Sequence, residues 1–190
     1  MSLPKRTFFP AWFYPKATYK AEKGWYKGIP PTKAQCRTDK AFQRPRQKEE
    51  QTGVPSVALE LENGVIITGK KSDLFEASAA ALINAVKILA KIPDDMPLLS
   101  FTIIEPIQSL KQNQLRRPTQ RLYLDEVLIT LAITGSTNAM AKKALEQLPK
   151  LSGSQMHSTV MLHPDDLVIL KRLNIDVTTE VNQDTKLLQR

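Results

Sequence analysis

The chain has 190 residues and a formal net charge of +8, and that charge is confined to its first fifty positions. Those hold twelve Lys/Arg against four Asp/Glu, whereas residues 51–190 hold fifteen of each. The length suits one domain with an arm, and no apolar window escapes charge long enough to cross a membrane.

The longest apolar stretch, Leu74–Ile92, is broken by Glu76, Asn84, Lys87 and Lys91. No apolar run follows Lys5 and Arg6, so no signal peptide is expected. Cys36 is the single cysteine, which excludes an internal disulfide and fits a reducing compartment; the expected localisation is cytoplasmic.

Residues 1–50 carry nine of the twelve aromatic residues and six of the thirteen prolines. Rings at Phe8, Phe9, Trp12, Phe13, Tyr14, Tyr19, Trp25 and Tyr26 alternate loosely with cations and show no helical or strand period. The prolines predict an irregular arm. Cations on phosphates and rings on bases would bind nucleic acid, but no RNA-recognition signature accompanies them and nucleic acid is disfavoured as a partner.

Val54–Leu61 and Val65–Thr68 read as two strands joined at Glu62-Asn63-Gly64, where Asn63-Gly64 suits a tight hairpin. A helix is expected from Asp73, its N-cap, with Glu76 completing a capping box, and Pro93 ending it. Its polar residues form one narrow stripe, so it is expected against a sheet and covered again. Leu98–Ile104 reads as a central strand, and Glu105-Pro106 as the start of a helix to Leu115. A basic loop with Arg116, Arg117 and Arg121 follows. Leu124, Val127, Leu128 and Leu131 keep helical spacing, Gly135–Asn138 break and recap, and Ala139–Leu148 continue as helix. Met156–Leu162 reads as a strand, Pro164–Leu173 as a helix and Ile175–Val181 as a last strand. The fold class is α/β, a layered α/β/α domain with a mixed sheet over 51–181, between the arm at 1–50 and a tail at 182–190.

Gly64–Lys70 copies the spacing of a phosphate-binding P-loop, but Lys71 replaces the required Ser/Thr and the intervening residues are β-branched strand. A weaker reading remains, in which Gly69, Lys70, Lys71 and Ser72 before a helix hold an anion; a solvated basic turn is the favoured account of them. Ser136, Thr137 and Asn138 at a helix start are the other candidate ligand contacts, although capping alone accounts for such residues. Arg116, Arg117 and Arg121 suit a phosphate or a partner's carboxylate, but a solvated loop is the preferred reading of them. His157 and His163 end one expected strand about 20 Å apart and cannot share a metal. Asp94-Asp95, Asp125-Glu126 and Asp165-Asp166 read as edge carboxylates. No catalytic residue, metal site or cofactor is assigned.

Gln51–Leu61, Ile67-Thr68-Gly69-Lys70, Ala77–Leu82, Glu105-Pro106-Ile107 and Ala144–Lys150 together resemble the bacterial family catalogued as domain of unknown function 1846 and as uncharacterised protein family 0371. The resemblance covers roughly Phe42–Val181 and implies a C-terminal domain with a fold similar to cytidine deaminase. Family members are longer, and residues 1–41 resemble no part of them; a truncated or frame-shifted gene is the expected account. The resemblance does not bring the deaminase reaction: Ile107 and Leu110 stand where zinc thiolates would be, and no His or Cys opens the first helix. The expected role is therefore a non-catalytic structural or ligand-contributing domain with a small anionic ligand, and self-association through any apolar face left bare. The alternatives are a phosphate- or nucleotide-handling hydrolase whose catalytic residues lie mainly upstream, and nucleic-acid binding through the arm.

Overall fold

A computed structural model describes residues 18–21, 24–27 and 39–180. Thr18–Ala21 (β1) and Gly24–Lys27 (β2) pair antiparallel, and Asp39–Thr52 forms helix α1. The expectation of irregular chain through residue 50 is corrected on these residues. Pro45 lies inside α1 and is buried, because the helix rests across the central sheet and that docking offsets the one backbone bond a proline removes. The remainder of the arm and the tail at 182–190 lie outside the described residues.

The sheet has four strands in the order β4-β3-β5-β6: Ile66–Lys70, Ser56–Glu60, Gln155–Ser158 and Asp176–Thr179. β3 runs antiparallel to β4 and to β5, whereas β5 and β6 are parallel, so the sheet is mixed as expected. The β3–β4 turn is closed by the Gly64 N–H donating to the Leu61 carbonyl at 2.8 Å. Gly64 takes φ +79° there, the left-handed conformation that glycine adopts without steric cost, and the Asn63 side chain accepts from the Val65 N–H at 3.1 Å.

Alternation along β4 separates the two faces. Thr68 meets Lys48 of α1, and Gly69 meets the helix Ala77–Ala90 (α2), so these helices cover opposite sides. Alanines at 77, 79, 81 and 85 let α2 lie close to the sheet. Gly69 is what permits the approach, since a Cβ there would fall 2.6 Å from the Ala77 carbonyl oxygen and into the Ala81 backbone.

α2 starts at Ala77 and not at Asp73. The Ser72 hydroxyl accepts from the Phe75 N–H at 3.1 Å, and Phe75 bridges in parallel to Leu122. Backbone pairing with Leu122 holds Leu74–Glu76 extended, leaving Glu76 as the N-cap. The helix ends on Lys91 at φ +55°, before Pro93, where the Ile92 N–H returns to the Lys87 carbonyl.

The expected strand at Leu98–Ile104 is a second correction. Phe101–Ser109 forms helix α3, with Ser100 as N-cap and Pro106 inside, and Leu110–Gln114 continues it as a wider π-type turn. Its inner side is Ile104, Ile107 and Lys111, a helical repeat hidden by the apolar residues that precede it. Leu124–Gly135 (α4) and Ala139–Leu145 (α5) follow the expected spacing, and Pro164–Arg172 (α6) links β5 to β6. β5 is shorter than expected because the Ser158 hydroxyl donates to the Val160 carbonyl and turns the chain. The core lies between the sheet and α2, α4 and α6, around Val57, Leu59, Leu82, Val86, Leu131 and Met156.

Candidate functional site

The Phe75–Leu122 bridge brings Ser72, just past β4, against Arg121, 49 residues away in sequence. The Arg121 guanidinium donates from Nε to the Ser72 carbonyl at 2.6 Å and from a terminal nitrogen to Thr119 Oγ1 at 3.3 Å. Beside this contact opens a cleft of about 460 Å³, lined by Asp73, Gln112, Arg116, Arg117, Thr119 and Arg121 among others. Three arginines thus line a cleft with one acidic residue. Among the described residues, Arg116 and Arg117 form no ion pair, and both are exposed.

The π-type turn shapes this wall. The Leu115 N–H donates to the Leu110 carbonyl and the Arg117 N–H to the Lys111 carbonyl, spacings wider than an α-helix allows. Arg116 is held at φ +47°, a conformation that costs a non-glycine residue energy and recurs where function fixes the backbone. Lys111 turns inward and is buried: its ammonium donates to Glu126 Oε2 at 2.6 Å and to the Arg121 carbonyl, and stands 4.5 Å from the Tyr123 ring centre. Glu126 also accepts from the Tyr123 N–H at 2.8 Å, which starts α4. Burial, then the nearby carboxylates of Glu76, Asp166 and Glu126, raise the Tyr123 hydroxyl above its usual pKa. The Tyr123 ring packs on His163 with centres 4.7 Å apart.

Behind the cleft, Asp166 is 1% exposed. Its carboxylate accepts from the Ser78 hydroxyl at 2.5 Å and the Leu124 N–H at 3.1 Å, so one residue of α6 joins the first turns of α2 and α4. Burial raises its pKa, against the opposing effect of those two hydrogen bonds. The sequence reading of Asp165-Asp166 as edge carboxylates holds for Asp165, which is exposed, and fails for Asp166, because α4 and α2 close over it.

The seven candidate contacts do not gather at one place. Gly69 packs on α2. Lys70 lies on the α1 side of β4, near Lys48, whose ammonium is lowered below its usual pKa by burial and then by Lys70. Lys71 pairs with Glu76 at 3.8 Å, and Ser72 carries the carbonyl that Arg121 holds. Ser136, Thr137 and Asn138 lie at the far end of α4, about 18 Å away by the rise of twelve helical residues. There the Ser136 and Thr137 hydroxyls donate to the Ile133 and Thr134 carbonyls, and the Asn138 side chain caps α5. The first group thus adjoins the arginine cleft through Ser72, and the second does not.

A second polar cluster lies under α1. The His157 ring, buried, reaches Thr178 Oγ1 at 2.8 Å and Glu180 Oε1 at 3.3 Å, while Arg46 of α1 donates to the same oxygen at 2.6 Å. Burial alone would raise the Glu180 pKa, but the hydrogen bonds and charges of His157 and Arg46 outweigh it and lower the value. Among the described residues, no group of three His, Cys, Asp or Glu is placed to hold a metal, and no helix is long and apolar enough to cross a membrane.

Residues 37–188 match the family described as domain of unknown function DUF1846, C-terminal. The chain belongs to this family. A UPF0371 protein of Streptococcus pneumoniae serotype 19F is 48% identical over 133 residues, covering 70% of this chain and 27% of the relative. A UPF0371 protein of Streptococcus uberis is 47% identical over 146 residues, 76% of this chain and 30% of the relative. The chain thus spans less than a third of the length of these UPF0371 relatives. The match begins just ahead of α1, which places that helix inside the shared domain.

Proposed function

We propose that this DUF1846 C-terminal domain binds a small anionic ligand in the arginine cleft and contributes that ligand site to a longer family architecture, without a catalytic centre of its own. The observation that carries the reading is the convergence of Arg116, Arg117 and Arg121 on one cleft with Asp73 as its single carboxylate. A guanidinium presents planar paired donors that match carboxylate and phosphate oxygens, and partners left unpaired are free to take a ligand. Asp73 would accept from a hydroxyl or amine on the same molecule. Lys71 and Ser72 support the cleft from behind; Gly69, Lys70 and Ser136–Asn138 are not ligand contacts in this reading.

A fold similar to cytidine deaminase is part of the proposal, supported by the opening β3–β4 hairpin, the buried α2 and the mixed sheet. A cytoplasmic setting accords with the lone Cys36. The cleft's described lining offers cations and a carboxylate but no nucleophile paired with a base, which favours binding over turnover.

Thermal shift with pyrophosphate, ATP and citrate tests the proposal. A ligand at a hundred times its Kd stabilises the folded state by about 2.7 kcal/mol, or roughly 5–10 °C for a domain of this size. The shift is expected for at least one of these anions, and to vanish in Arg116→Ala/Arg117→Ala. No shift with any of them, or an equal shift in the double variant, contradicts it.

A further inference from the structure

The lining of the arginine cleft narrows the class of anion it suits. Small-molecule sites are lined mainly by hydrophobic and aromatic side chains. Here Asp73, two glutamines, a threonine and three arginines line the space, with Pro118 as the one apolar residue and no aromatic ring. Its volume of about 460 Å³ lies toward the small end of such sites, which run from about 300 to 1,000 Å³. A nucleobase would find no ring to stack on, and the Arg121 guanidinium is committed to the Ser72 carbonyl and to Thr119. Among the described residues, the side chains of Asp73, Gln112, Arg116, Arg117 and Gln120 make no hydrogen bond or ion pair. Two guanidinium groups, two carboxamides and one carboxylate are therefore open to a ligand.

Charge then selects the groups that ligand carries. Three guanidinium charges against one carboxylate leave two positive charges in excess, and a phosphate monoester carries about −1.5 to −2 at pH 7. The same excess repels an ammonium group, so a neutral donor, a hydroxyl, is the better match for Asp73. Each glutamine amide both donates and accepts, which suits further hydroxyls. We propose that the cleft takes a phosphorylated polyol of the sugar phosphate class, its phosphate on Arg116 and Arg117 and a hydroxyl donating to Asp73. The inference rests on the anion-binding reading of this cleft and adds the neutral, hydroxylated half of the ligand.

Calorimetric titration of this chain and of Asp73→Ala with ribose 5-phosphate, ethyl phosphate, adenosine 5′-monophosphate and pyrophosphate tests it. Ribose 5-phosphate is expected to bind about tenfold tighter than ethyl phosphate, the effect of one hydrogen bond to a charged acceptor. The nucleotide is expected to bind no tighter than ribose 5-phosphate. Asp73 is exposed, so its replacement leaves the fold in place. In Asp73→Ala the preference for ribose 5-phosphate is expected to fall to within about twofold, while ethyl phosphate binds more tightly because a like charge has left the cleft. Equal affinities for ribose 5-phosphate and ethyl phosphate overturn the proposal and leave the anion reading standing. So does a preference that survives in Asp73→Ala, or a nucleotide that binds about tenfold tighter than ribose 5-phosphate, since the base would then be the recognised group. Binding of pyrophosphate alone likewise overturns only this proposal. If pyrophosphate also fails to bind, the anion reading falls with it.

Discussion

Gly69 shows how one residue can suit two readings. Beside Lys70 and Lys71 it looks like part of a phosphate loop, yet its lack of a side chain is consumed by α2, whose backbone fills the space. Gly69→Ala is expected to destabilise the domain by about 3 kcal/mol, the upper range for overpacking, as measured by urea unfolding. Lys91 makes the reverse case. It closes α2 at φ +55° with an L-side chain, and Lys91→Gly is expected to stabilise by about 0.5–1 kcal/mol in the same assay. At Asp166 the carboxylate binds two helix starts at once, so Asp166→Ala leaves the Leu124 N–H and the Ser78 hydroxyl without their acceptor. A loss of about 2–4 kcal/mol is expected. A calorimetric loss below 1 kcal/mol would show that the three helices hold together without it.

At the scale of elements, α1 is the informative piece. It is a strongly polar helix docked on a sheet face that carries His157, Thr178 and Glu180, and Arg46 spans the two. The Glu180 pKa is lowered on folding, so its contribution to stability is full above its ordinary value of 4.5 and is lost as pH falls through the lower folded value. Glu180→Gln is expected to flatten the fall of stability with acid below pH 4.5, while leaving the slope near neutrality unchanged. An identical acid limb in both proteins would remove Glu180 from the docking. The same elements mark what a sequence can and cannot disclose. α2 and α4 were legible because their apolar residues recur at helical spacing over three turns. α1 was hidden by Pro45 and by a polar surface with no apolar stripe. α3 was hidden by Leu98, Leu99, Ile103 and Ile104, which imitate a strand until Lys111 is counted among the inward residues.

For the whole molecule, the candidate site depends on a pairing no local pattern encodes. Ser72 and Arg121 meet because Leu74–Glu76 lies alongside Leu122, and that contact sets Asp73 beside the arginine loop. The arginines themselves were visible in the sequence; their shared cleft, the π-type turn that supports them and the inward Lys111 were not. An NMR titration of the full chain with pyrophosphate tests this account most directly. Saturable shifts confined to Gln112–Arg121 and Asp73, absent in Arg116→Ala/Arg117→Ala, are expected. Shifts centred instead on Ser136–Asn138, or none at millimolar pyrophosphate, would contradict it.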